Sequence, residues 1–168
     1  MSTNGIIPTD LKQITLTPEH WVRLSTEERV KLVKNTNHTL SFKAVTMAIT
    51  LWEYNSSRPA PLWNFSGLMV WARVKHWGWA KYWRLPAQKD KDFLPVGYYL
   101  AREGQTGNTG VFFSFRSFLH CFNATYKIVE GKNIKNGYDY EKEWVGRDNP
   151  QPNIAFDKVR DRVAQMMM

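Results

Sequence analysis

The chain is poor in cysteine. Cys121 is the only one in 168 residues, which excludes an intramolecular disulfide and a cysteine-based zinc site. A single thiol is the usage of a reducing compartment, so a cytoplasmic protein is expected, or one held inside a host cell or a virion. Histidine offers no metal site: His20, His38, His76 and His120 are scattered and fall into no familiar ligand spacing. Long apolar runs are missing. The longest candidate, Ala60 to Ala72, has 13 residues, too few to cross a bilayer, so no membrane span is expected. Met1 to Asp10 shows neither the basic segment nor the apolar core of a secretory signal. The Asn-X-Ser/Thr triplets at Asn37, Asn55, Asn64 and Asn123 then read as chance matches. Nucleotide motifs are missing as well. The run Gly104 to Gly110 has neither the Gly-Lys-Ser/Thr ending of a P-loop nor the Rossmann glycine spacing. It reads as a flexible connection between two strands, and no cofactor is expected.

Aromatic rings and positive charge are abundant. Eight Trp, seven Tyr and nine Phe exceed what one small core takes in, so some rings should lie on a contact surface. The net charge of +8 is unevenly spread. Residues 1–70 carry 7 basic and 5 acidic groups, residues 71–102 carry 7 and 2, and residues 103–168 carry 9 and 8. Hence +5 of the +8 falls in one 32-residue stretch, which also holds Trp71, Trp77, Trp79, Tyr82, Trp83, Phe93, Tyr98 and Tyr99.

The length fits one globular domain over 17–168 behind an extended arm at 1–16. Thr17-Pro18 offers a helix start. Ser25-Thr26-Glu27-Glu28 matches a capping box and predicts a helix at about 26–35. Phe42, Val45, Ile49 and Trp52 recur at steps of three and four and predict a second helix with those four on its buried face. After the breaker Ser56 to Pro61, a third helix is expected from Pro61 to Gly78, with Leu62, Phe65, Leu68, Met69 and Ala72 along one side. Strands are expected at Ala80–Leu85, Phe93–Arg102 and Val111–Phe118. A further hairpin is expected from Thr125–Glu130 and Tyr138–Val145, where aromatic and acidic residues alternate. Asn153 caps a last helix facing inward through Phe156, Val159, Val163 and Met166. The order predicts an α+β fold: N-terminal helices packed on a largely antiparallel sheet of about five strands, with a closing C-terminal helix.

Three places bear on chemistry. Cys121 follows His120 directly, and on a strand their side chains diverge, so the thiol reads as a half-buried, inert group. Asp139, Glu141 and Glu143 share a strand face and read as a solvated edge that discourages sheet pairing. The third place is the basic, aromatic stretch. Lys75, Trp77, Trp79, Lys81, Tyr82, Trp83, Arg84, Lys89 and Lys91 interleave cations with flat rings. Cations suit phosphates and rings suit exposed bases.

Residues 48–57 (AITLWEYNSS), 61–63 (PLW), 94–103 (LPVGYYLARE) and 137–147 (GYDYEKEWVGR) together resemble the toxin-activating lysine acyltransferases. The resemblance implies an acetyltransferase-like fold, in which a Trp-rich helix precedes a catalytic His and a strand with a Pro-Val-aromatic pattern follows. The chain departs from that pattern where catalysis would lie. Trp63 stands at the place of the His, and Ser114, in VFFSFRSF, at the place of the Asp. The implied acyl transfer would therefore lack its base.

The leading expectation is a small basic accessory protein, not an enzyme, that binds single-stranded or structured nucleic acid through the nine residues named above. One alternative is the acetyltransferase-like fold, without activity, or acting as an acyltransferase if it is an enzyme at all. The other is a viral or phage structural or host-interaction protein whose aromatics meet a protein partner or a second copy.

Overall fold

The computed structural model describes residues 11–69, 95–104, 107 and 109–168. The expected strand at Ala80–Leu85, the loop that follows it and residues 1–10 of the arm lie outside the described residues. The chain begins with β1 (Lys12–Gln13), a 3-10 turn at Pro18–His20 and β2 (Trp21–Val22). Helices α1 (Thr26–Val33) and α2 (Leu40–Glu53) follow, then β3 (Ala60–Pro61). After β4 (Gly97–Arg102) and β5 (Thr109–Ser114) come α3 (Phe118–Gly131), the short α4 (Gly137–Asp139) with a π-helical turn over Tyr140–Val145, and α5 (Ile154–Met167).

The fold is α+β, as expected, but the described strands form two sheets instead of one sheet of five. One sheet has the order β1-β4-β5, with β1 parallel to β4 and β4 antiparallel to β5. The other is the antiparallel pair of β2 and β3. The expected arm is thus anchored through β1. Gly97 permits that pairing, since a Cβ there would meet the Lys12 carbonyl at 2.7 Å and the Ile14 side chain at 2.6 Å. Val111 and Phe113 of β5 turn into a core shared with α2, α3 and α5.

Local sequence explains several elements directly. Ser25 Oγ accepts the Glu28 amide hydrogen bond at 3.1 Å and starts α1. Asn153 accepts from the Phe156 amide at 3.0 Å and starts α5, whose Phe156, Val163 and Met167 are buried. α2 is buried from Lys43 through Leu51, more widely than one face. Trp52 departs from its expected place: it is 41 % exposed, and its ring makes a T-shaped contact with Phe156.

Three expected elements are corrected. Within the described part of the expected third helix, Leu62 and Trp63 have φ of 48° and 65°, which no right-handed helix allows. Asn64 closes the loop instead, donating to the Leu68 carbonyl and accepting from the Leu68 amide, both at 2.9 Å. That loop runs along the outer edge of β5, with Phe113 N bonded to Leu68 O and Phe115 N to Leu62 O. The expected strand at Thr125–Glu130 is the second half of α3. Phe118, Cys121, Phe122, Thr125, Ile128 and Val129 form its buried face at helical spacing, and Ser117 caps it. The expected strand at Tyr138–Val145 is α4 and its π-turn, with Tyr140 and Trp144 buried and Tyr138 exposed. Gly146, at φ 80°, ends that turn.

Candidate functional site

Lys75, Trp77, Trp79, Lys81, Tyr82, Trp83, Arg84, Lys89 and Lys91 all lie outside the described residues. The places where the chain leaves and rejoins the described fold are defined. It leaves at Met69, which bridges to Phe112 on the outer edge of β5. It returns at Pro95 and Val96, where Val96 N bonds Ser114 O on the β4 side. The two points thus flank β5. The Gly104–Gly110 run is the β4–β5 hairpin connection, as expected, and the Gly107 amide is engaged by the Glu103 carbonyl at 2.8 Å.

Between this edge and the helices lies a buried polar cluster. Cys121, on α3 and not on a strand, is wholly buried. Ser66 Oγ lies 3.4 Å from its sulfur, and Thr125 Oγ bonds both Ser66 Oγ and the Cys121 carbonyl at 2.8 Å. Burial pushes the thiol pKa up, while hydrogen bonds from Ser66, Phe65 and Thr125 pull weakly the other way. A thiol so placed is protonated and closed to solvent, which makes it a poor nucleophile. Arg29 of α1 closes the cluster. Its guanidinium is 0 % exposed, donates Nη1 to the Thr50 carbonyl at 2.8 Å and lies 4.5 Å above the Phe65 ring. Desolvation lowers its pKa to about 10. Sequence reasoning missed this residue. In the run Thr-Glu-Glu-Arg it looks like one more solvated charge.

The remaining candidates are bound up in structure. His120 Nδ1 lies 2.7 Å from Ser117 Oγ, and that oxygen is also the cap of α3. The acidic row does not form. Asp139 caps the Lys135 amide, while Glu141 holds Asn153 at 2.8 Å and Arg147. An open cleft of about 540 Å³ lies beside Glu141, lined also by Arg147, Asn149, Gln151 and Ile154. Asn64 and Asn123 are buried, which closes two of the four Asn-X-Ser/Thr triplets to modification. Among the described residues there is no group of three or more potential metal ligands, and no helix is long and apolar enough to cross a membrane.

Trp63 and Ser114 belong to adjacent pieces of backbone, because Leu62 O accepts from Phe115 N. Ser114 is 1 % exposed, and among the described residues its hydroxyl has no hydrogen-bond partner. Neither side chain can take a proton from an attacking amine at neutral pH. No family model matches the chain, and no curated protein or solved structure matches it. The resemblance to the acyltransferases therefore stands on its four short motifs alone.

Proposed function

We propose that the protein is a small basic accessory protein that binds single-stranded or structured nucleic acid through residues 71–102, without catalysis. One observation carries the reading: +5 of the +8 net charge is concentrated in 32 residues that also hold four Trp. Cations of Lys75, Lys81, Arg84, Lys89 and Lys91 would meet phosphates and release counterions. Rings of Trp77, Trp79, Tyr82 and Trp83 would stack on bases, at about 1–3 kcal/mol each. Outside the stretch, several cations are engaged in the fold. Arg147 pairs with Glu141, Arg160 with Asp157 and Asp161, and Lys43 caps the carbonyls of Lys34 and Thr36.

The test is a fluorescence titration of the full chain with single-stranded DNA and RNA at two salt concentrations. Affinity should fall steeply with salt. Lys81→Ala or Lys89→Ala should each reduce the slope of log affinity against log salt by roughly 0.7 to 0.9. Trp83→Ala should lower affinity and leave the slope nearly unchanged. Lys31→Ala, on the exposed side of α1, should change neither. Absence of binding at low salt by folded protein would remove this reading and favour a protein partner.

A further inference from the structure

Helix α1 has only eight residues, and a helix that short depends on its seat for stability. Its apolar contribution to the core is Val30 and Val33, while Leu32 points to solvent. It also buries Thr26 and the Arg29 guanidinium. Among the described residues no carboxylate pairs with the guanidinium, and Nε and Nη2 are buried without a hydrogen-bond partner. The Thr50 carbonyl and the Phe65 ring are its compensation. A desolvated cation held by one neutral acceptor and a ring is poorly repaid in a core. Hydration of Arg29 would relieve that desolvation if α1 lifted. The next layer down is Phe65, Ser66 and, bonded to Ser66, the Cys121 thiol.

We propose that α1 is a releasable clasp over the Ser66–Cys121–Thr125 cluster, and that the uncompensated Arg29 sets how readily it opens. Opening is local: α2, α3 and α5 keep their packing while α1 detaches and the thiol becomes reachable. Local opening below the global unfolding energy is an ordinary property of elements with few buried apolar contacts. Here it has an identifiable control residue. The single cysteine makes the event directly readable.

The experiment is labelling of Cys121 in the full chain by an aromatic disulfide reagent, followed at several low urea concentrations. Labelling should proceed under native conditions, with a urea dependence much shallower than that of global unfolding. Arg29→Met should slow it by about tenfold, the size of a loss of one pKa unit's worth of strain. Methionine fills a similar space, and the Thr50 carbonyl keeps its bond from Tyr54 N at 3.0 Å. Arg29→Lys retains the buried charge and should label as fast as the parent, or faster. Faster labelling in Arg29→Met would overturn the proposal, because Arg29 would then be holding the clasp shut. So would a parent whose labelling has the full urea dependence of global unfolding. That second readout needs no variant and holds even if Arg29→Met does not fold.

Discussion

Helices α5 and α1 both lie against the central helix α2, but their seats are made differently. α5 brings Phe156, which stacks on Tyr140 with ring centroids 4.4 Å apart and makes a T-shaped contact with Trp52. Val163 and Met167 complete an apolar stripe along its 14 residues. α1 brings two valines, Thr26 and a cation over eight residues. The apolar stripe gains energy in proportion to the area taken from water. The cation loses hydration, and its three nitrogens find one acceptor. The contrast teaches that complete burial is not a measure of how firmly an element is held. Arg29 is as buried as Phe156, and the two should have opposite effects when replaced.

The largest effect expected is at the α5 seat. Phe156→Ala should cost about 3–5 kcal/mol, through lost contacts and the cavity left between Tyr140 and Trp52. A urea midpoint near that of the parent would break the comparison on this side.

Arg29→Met comes next, with the opposite sign. A guanidinium pKa lowered to about 10 corresponds to a penalty on the order of 3 kcal/mol at neutral pH, before the ring and carbonyl contacts offset part of it. A net gain of about 1–2 kcal/mol is expected. The pH dependence has a definite sign. For a base whose folded pKa is lowered, the penalty is fully present below the folded value and is relieved as pH rises above about 10 toward the ordinary guanidinium range. The advantage of the variant over the parent should therefore shrink in that window. An advantage that grows there would show that Arg29 is not a desolvated cation.

Trp52→Ala should cost only about 1–2 kcal/mol, since a good part of the ring is already in water. A loss as large as that of Phe156→Ala would place the ring deeper than the structure does. The smallest effect is at Glu53, whose Oε1 accepts the Tyr140 hydroxyl at 2.6 Å. Burial raises its carboxyl pKa. For an acid so shifted, the penalty is absent well below the ordinary carboxylate range and present once pH exceeds the folded value. Glu53→Gln, whose amide oxygen can accept the same bond, should gain on the parent as pH rises from 4 toward 7 in paired melting curves. A gain in the reverse direction would mean that the Glu53 charge is well solvated.

Much of the helical half was legible in the sequence because its signals are local. Ser25 and Asn153 cap the helices they were expected to cap, and Val45 and Ile49 are buried as their spacing implies. The failures have local signals that point the wrong way. Thr125, Tyr126, Ile128 and Val129 are strand-forming residues, yet the longer period from Phe118 with its Ser117 cap decides for a helix. The 62–69 stretch has apolar residues at helical steps, and those same residues serve a loop pinned by the Asn64 side chain and the edge of β5. Arg29 carries no local signal at all. Its burial is set by Thr50, Phe65 and Cys121, which the chain brings together over 21 residues or more. Of the proposed contact surface, the sequence supplies composition and charge, and the fold supplies the two points at β4 and β5 between which it is carried.

The claim that the two seats differ in strength is tested most directly by native-state hydrogen exchange of the parent protein, comparing the amides of Val30 and Val33 with those of Val163 and Ala164. The α1 amides should exchange through a low-energy opening that depends weakly on urea, while the α5 amides wait for global unfolding. Equal protection with the same urea dependence in both helices would contradict it.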